Sequence, residues 1–470
     1  MPEDDNDDSP QTWPRCPEAA AFFHEGLDAF ARANPRVAEM AARFREVAGV
    51  SLASLVDHWT LPESAALCER LRAIGLTETA TEDGDPVWEH PQARLPRVRL
   101  LRNLAAPRLA LAVEDVGRFV AANGLTVSVR EGDLDSGYQE ARCLLPGGDE
   151  LAVVVRAGYR GFRPRCLDGA AARRLAGARA AFRDRDRCSG EEADVLARTQ
   201  ALVEGVIGEI GRDRATDEFF AAERDYWMAR NRAARWQFER QQEVGIGWAN
   251  HDHHTYRSSR ASFVALTRLW RTFGFLARER FYAGQEAGWG AQILEHPISR
   301  VVIFADVDLA ADELDVDFAG TVLPPRDALG TIGLWCALHG SSIAGAGMHH
   351  LEAEFDWERA RALLEAAGFG VMAPFTDLPM LKQAFTVAEV WPVSPDRVRA
   401  LQERGWITAE QAEGFLRNGA PGSHLEVLQR WDGFKGFNKT GVSAILRETD
   451  ARRATAHQDA GPHPGKTDFL

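Results

Sequence analysis

Asn250-His251-Asp252-His253-His254-Thr255-Tyr256-Arg257 decides how this chain is read, because three histidines, a carboxylate and an arginine fall within eight residues. The run follows a Gly245-Ile246-Gly247-Trp248 turn. It precedes an amphipathic pattern in which Phe263, Leu266, Leu269, Trp270 and Phe273 recur at helical spacing up to Gly274-Phe275. The order is strand, helix, turn. Residues two apart share a face of an extended strand, so His251, His253, Thr255 and Arg257 are expected on one side. Asp252, His254 and Tyr256 are expected on the other. A metal-binding histidine with an arginine four residues on can hold both a metal and an anionic substrate. The competing reading is a polar strand end with solvated histidines.

The rest of the chain sets the frame. Its 470 residues suffice for two or three domains with real cores, and 45% hydrophobic with 26% charged residues is ordinary for a globular protein. A formal net charge of −14 argues against nucleic acid or an anionic membrane as partner. The acidic stretch Met1 to Asp8 reads as a disordered lead-in, not a signal peptide, and no apolar run approaches a membrane span. Cys16, Cys68, Cys143, Cys166, Cys188 and Cys336 are scattered without a CxxC, as expected for reduced thiols of a cytoplasmic protein.

Asp57-His58-Trp59-Thr60 aligns with Asp252-His253-His254-Thr255 at an offset of 253 − 58 = 195. Each is followed by a helix ending in Gly75-Leu76 or Gly274-Phe275. Each then reaches Glu-His-Pro, at Glu89-His90-Pro91 and Glu295-His296-Pro297, and a strand. This order predicts an internal repeat. Its first copy has Pro62 in place of Arg257 and reads as a degenerate structural partner. A second βα pattern follows within each copy, after Leu109 to Val113 and after Met348 to Leu351. The expected divisions are an N-terminal module with a helical lead-in over 1–165, a helical connector over 166–245, a metal-binding module over 246–450 and a disordered tail over 451–470.

Three further segments carry candidate chemistry. Gly345-Ala346-Gly347-Met348-His349-His350-Leu351 places two histidines at the head of a strand, where alternation allows at most one to be a ligand. Ser423 to Arg430 puts His424, Glu426 and Leu428 opposite Leu425 and Val427, and a glutamate there is costly to bury unless paired or metal-bound. Leu381 to Glu389 offers Gln383 and Thr386 to a pocket. Two histidines and one carboxylate with open positions is the arrangement of non-haem Fe(II) oxygenases.

Taken together, DHHTYR, LEHP, MHHL, LKQAFTVAE and HLEVLQRWDGFKGFN resemble, in that order, the 2-oxoadipate dioxygenase/decarboxylase family, a branch of the vicinal-oxygen-chelate superfamily. The resemblance covers about Asn250 to Asp450. It implies an α+β fold of tandem vicinal-oxygen-chelate-type βαβββ modules with helical insertions and a central curved sheet enclosing a metal site. It also implies His253, His350 and Glu426 as ligands to Fe(II) or another divalent transition metal, and Arg257 as the substrate-binding arginine. Gln383 and Arg430 follow as substrate-binding residues, with Gln429 alongside, whereas His251, His254, His349 and Glu389 are left out. The implied reaction converts a 2-oxo acid and O₂ to a hydroxy acid and CO₂, as 2-oxoadipate gives 2-hydroxyglutarate. Two departures bear on the substrate: Leu351-Glu352-Ala353-Glu354 stands where members often carry Thr-x-Arg, and Phe385 where serine is common. The alternatives are a non-redox metalloenzyme of the same superfamily and a non-catalytic small-molecule-binding protein; the oligomeric state is not read.

Overall fold

Prolines open the first two helices, α1 (Pro17–Ala33) and α2 (Pro35–Ala48), at the position where a missing N–H costs nothing. The computed structural model describes residues 13–165, 167–376, 378–438, 445 and 449–454. The expected disordered lead-in, Cys166 and most of the expected disordered tail lie outside them. Ala451–Ala454, within that tail, forms a helical turn with Ala451 buried.

Two curled sheets follow one plan. The first contains β1 (Val56–Pro62), β2 (Thr77–Ala80), β3 (Pro86–Glu89), β4 (Arg97–Leu101), β5 (Arg108–Ala112), β6 (Val127–Glu131), β7 (Tyr138–Leu144) and β8 (Glu150–Arg156), in the order β2-β3-β4-β1-β5-β8-β7-β6. Helices α3 (Ala65–Ala73) and α4 (Val116–Ala122) make its crossovers. The second sheet contains β9 (His251–Arg257), β10 (Leu276–Tyr282), β11 (Trp289–Glu295), β12 (Val302–Asp308), β13 (His350–Glu354), β14 (Leu381–Phe385) and, after a separate two-stranded ladder of β15 (Val390–Trp391) and β16 (Ala420–Pro421), β17 (His424–Arg430). Its order is β10-β11-β12-β9-β13-β17-β14.

In both sheets the first strand runs parallel to the fourth and antiparallel to the strand that opens the second unit. Each sheet is therefore two βαβββ units side by side, and the expected tandem α+β architecture is present twice over. The fourth unit is the irregular one. One of its strands is reduced to a bridge between Val371 and Thr386, and helical insertions interrupt it.

Between the sheets lie α5 (Gly169–Arg183), α6 (Glu192–Ile210), α7 (Arg212–Met228) and α8 (Arg232–Glu243), within the stretch expected to be helical. They pack into the core behind the second sheet. Phe219 and Phe220 of α7 pack against Trp270 and Phe273 of α9 (Phe263–Phe273), the crossover helix behind β9. One continuous apolar core runs from Phe44 and Trp59 through Phe182 and Phe219 to Trp270 and Val427.

The N-terminal helices also dock directly on the C-terminal half, where α2 ends against α11 (Trp357–Ala366). Gly49 has φ 67°, and a Cβ there would lie 2.7 Å from the backbone Cα of Ala360. Gly49→Ala is expected to destabilise the protein by about 2 kcal/mol or more, through both left-handed strain and this backbone clash. Urea unfolding monitored by circular dichroism checks it, and an unchanged midpoint would refute the close packing.

Candidate metal centre

Strand β9 lies at the middle of its sheet, between β12 and β13, so its side chains are buried on both faces. Pairing with β13 sets Glu352 opposite His253 but Ala353 opposite His251, which leaves Asp252 as an extra residue in a bulge. The bulge breaks the expected alternation. His251 turns away from the site, bonding through Nδ1 to the Trp248 carbonyl at 2.8 Å, with its ring 5.5 Å from that of His254. From His253 onward the alternation holds: His254 and Tyr256 pack against Phe220, and Thr255 reaches His350.

His253, His350 and Glu426 converge. One ligand atom from each lies within 4.8 Å of the others, and all three are buried. Glu426 Oε2 is 3.1 Å from His350 Nε2 and 3.6 Å from His253 Nε2. The Phe304 ring lies 4.2 Å from that of His253, and the Phe385 ring 5.0 Å from that of His350, so apolar faces wall the cluster from water.

Sequence reasoning missed what holds these groups. Glu352, fully buried, sits 3.2 Å from His253 Nδ1. His349 Nδ1 is 2.8 Å from His350 Nδ1. Alternation predicts opposite faces for the two, but β13 begins only at His350, so His349 is free of the pleat and its ring lies beside its neighbour's. Thr255 Oγ1 lies 2.8 Å from His350 Nε2. Gln383 lies in the cluster, its Nε2 donating to Glu352 at 3.1 Å and Glu426 at 3.3 Å. The one sign of Glu352 in the sequence was that it falls in the Leu351 to Glu354 segment, which departs from the pattern of the family the sequence resembles.

A second set, Asp252, His253 and Glu352, is also close enough to hold a cation. Asp252 is already committed. Arg430 grips it through Nε and Nη2 at 3.1 Å each, and Arg94 reaches it at 3.0 Å. Burial alone would raise the Asp252 carboxyl, but these two guanidiniums hold it well below the ordinary range. A carboxylate so neutralised is a poor cation ligand. Glu426 is in the opposite position: burial pushes it up to about 8. Glu352 is raised well above its ordinary value by burial and by Glu426. Burial also keeps His350 neutral, with its pKa well below the ordinary value. The neutral His350 imidazole and the His253 ring, beside carboxyls short of compensating charge, form a donor set that fits a divalent cation.

Arg257 lies farther along β9, beside Trp335, with its guanidinium carbon 5.3 Å from a Trp335 ring centroid. It is buried, and its Nε and Nη1 have no hydrogen-bond partner; the nearest carboxylate is Asp306, at 3.8 Å from Nε. Such a cation is costly unless an anion joins it. Arg430 is placed differently from the expectation. Besides Asp252, it donates to the carbonyls of Phe434, at 3.3 Å, and Gly436. Its donors are engaged by the fold. Gln429 lies outside the cluster, accepting the Trp357 N–H at 3.0 Å.

The first sheet explains that placement. Arg156 grips Asp57 at 2.8 and 3.0 Å and donates to the carbonyls of Tyr159, at 3.5 Å, and Gly161, at 2.6 Å. The pair and its clamp occur in both halves. In the same way Arg160 pairs with Glu89, and Lys435 with Glu295 at 2.7 Å. Arg156-Ala-Gly-Tyr-Arg-Gly-Phe162 and Arg430-Trp-Asp-Gly-Phe-Lys-Gly-Phe437 are thus two forms of one motif, a signal present in the sequence but not aligned there. Register then compares the ligand positions. Thr60 faces Arg108 where Thr255 faces His350, and Ala110 faces Ala152 where Glu352 faces Glu426. The first sheet keeps His58 but has arginine and alanine at the other two places.

No protein-family model matches the chain, and no curated protein does. Among solved structures, it is similar to a chain described as a hydrolase from Shewanella frigidimarina NCIMB 400, at 15% identity, covering 47% of this chain and 96% of that one with a TM-score of 0.33. A chain described as a glyoxalase superfamily protein from Ralstonia eutropha JMP134 is 14% identical, covering 56% and 96% with a TM-score of 0.31. A variant of 4-hydroxymandelate synthase from Streptomyces coelicolor is 12% identical, covering 74% and 97% with a TM-score of 0.28.

Burial pushes Asp306 up to about 7, against the pull of Arg257. Its contribution to stability is therefore complete below about pH 4, the ordinary aspartate value, and is lost as pH rises through about 7. Asp306→Asn is expected to remove that share of the decline, at most about 4 kcal/mol. Denaturation midpoints from pH 5 to 8.5 check it; parallel curves for parent and variant would show that Asp306 does not titrate in this range.

Proposed function

We propose that the chain is a metal-dependent enzyme that oxidatively decarboxylates a 2-oxo acid, with Fe(II) held by His253, His350 and Glu426. The observation that carries this reading is the buried convergence of those three side chains, with Arg257, whose Nε and Nη1 lack hydrogen-bond partners, on the same strand as His253. Bound Fe(II) would supply chelation of the 2-oxo acid and the redox chemistry with O₂. Glu352 would accept the Nδ1–H of His253 and so fix its ring, and Gln383 would orient the Glu426 carboxylate. Arg257 would bind the substrate's distal carboxylate through a charge-assisted pair. Phe304 and Phe385 would keep bulk water from the reacting end. With 2-oxoadipate and O₂ the products would be 2-hydroxyglutarate and CO₂, as in the family that the sequence resembles.

One observation favours a second reading. Glu352 adds a buried carboxyl beside the cluster, which suits a proton-moving, non-redox reaction such as an isomerisation or a lyase step. The two readings part on oxygen. Anaerobic reconstitution with Fe(II), followed by a panel of 2-oxo acids including 2-oxoadipate, is expected to give O₂ uptake matched by CO₂ release and a hydroxy-acid product. Substrate turnover without O₂ uptake would transfer the assignment to the second reading. Failure of the protein to retain any divalent transition metal would sink both.

Two substitutions separate the roles. Glu426→Ala is expected to abolish metal retention, measured by elemental analysis after gel filtration, with the circular dichroism spectrum intact. Arg257→Met is expected to retain the metal yet lose at least about 100-fold in kcat/KM, the size expected when a buried ion pair to substrate is removed. Because the carboxyls must ionise to bind a cation, metal affinity is expected to tighten as pH rises towards about 8.

A further inference from the structure

A cavity of about 660 Å³ lies between the two halves, lined by residues of both. It is separate from the guanidinium of Arg257. Strand β9 enters it at His251 and Asp252, and Arg257 lies five residues on, about 17 Å along an extended chain. The repeat puts two equivalent arginines on its wall. Arg94 stands five residues after Glu89, and Arg300 five residues after Glu295, each behind the same Glu-His-Pro turn. Arg94 crosses to the other half and meets Asp252 at 3.0 Å and the His251 carbonyl at 3.2 Å.

The counterpart of Asp252 is Asp57, so the repeat would send Arg300 there. That place is taken. Asp57 is held by Arg156 and also faces Arg97 at 3.7 Å. Arg97 stands at the register position that Val302 fills in the other half. Where one half has valine, the other has a cation that takes the carboxylate. The Arg300 side chain makes no hydrogen bond or close ion pair with another described residue; it is exposed on the cavity wall, where the more distant carboxylates of Glu295 and Glu89 only partly offset its charge. The neighbouring cations Arg94 and Arg160 are already paired.

The backbone marks the same place. Among the described residues, Arg300 (φ 62°) and Asp432 (φ 57°) are the non-glycine residues in the left-handed region, and both line this cavity. Left-handed backbone is unfavourable for a residue with a Cβ and is retained mainly where the side chain has a task. Glycine would be the better residue for the turn; arginine is the one present.

We infer that this cavity is a second ligand site, in which Arg300, flanked by Arg94 and Arg160, binds the carboxylate or phosphate of a small anionic solute. The inference is independent of the metal centre, and one variant tests it with two readouts of opposite sign. Arg300→Gly removes the cation and relieves the strained turn, so its melting temperature without ligand is expected to equal or exceed the parent's. Isothermal titration of the full chain with inorganic phosphate, pyrophosphate and glutarate is expected to show one site for at least one probe, weakening as ionic strength rises. In Arg300→Gly the affinity is expected to fall at least tenfold, and the preferred probe tells a phosphate from a carboxylate ligand. Equal affinity in the variant, or no binding of any probe by the parent, would overturn the inference. Loss of binding in Arg257→Met but not in Arg300→Gly would also overturn it, by assigning the anion to the metal centre.

Discussion

The grip of Arg430 on Asp252 is the constraint from which the geometry of the candidate metal cluster follows. It ties the last residue of β17 to the bulged second residue of β9 and clamps the carbonyls of the return loop. The bulge sets Glu352 opposite His253, and the parallel pairing of β13 with β17 sets Glu426 beside Glu352. With the start of β9 in another register, His253 would face the helices. A buried pair of this kind adds little net stability over apolar packing, yet losing one partner costs about 3–5 kcal/mol because the other charge is stranded. Its recurrence as Asp57 and Arg156, in a sheet without the other two ligand positions, identifies it as scaffold.

Much of this organisation was legible in the sequence because the signals were periodic. The stripe from Phe263 to Phe273 became α9, and Leu425 and Val427 took the core side of β17 while Glu426 faced the cluster. Repeated Glu-His-Pro turns announced the duplicated plan. What could not be read depends on a single inserted residue or on side chains that meet only in space. Asp252 turns His251 out of the site by a bulge that no pattern of hydropathy records. The contact of His349 with His350 depends on where β13 begins, a boundary of one residue. Arg430 looked like a substrate ligand because its partner is 178 residues away.

The same logic explains what became of the first half. Its concave side holds Tyr138 against Glu140 and the Phe162 ring 4.9 Å from that of His58. Arginine side chains at 97, 99 and 156 crowd that phenylalanine, each within about 5 Å. Cation–π packing and ion pairs fill the space that a cation with its ligands would need. The half has Arg108 and Ala152 where the other has His350 and Glu426, and it has the same clamping pairs, Arg156 with Asp57 and Arg160 with Glu89.

The shared core gives that half a reason to persist. Since Phe44, Phe219 and Val427 belong to one apolar cluster, neither sheet can expose its face without the other losing its cover. Damage to the core of one half is therefore expected to weaken the other. In a cell the amount of folded protein would then be set as much by lesions around Trp59 as by lesions around Trp270, since both draw on the same margin against degradation. The first half is, in that sense, a permanent cover for the half that holds the three-residue cluster.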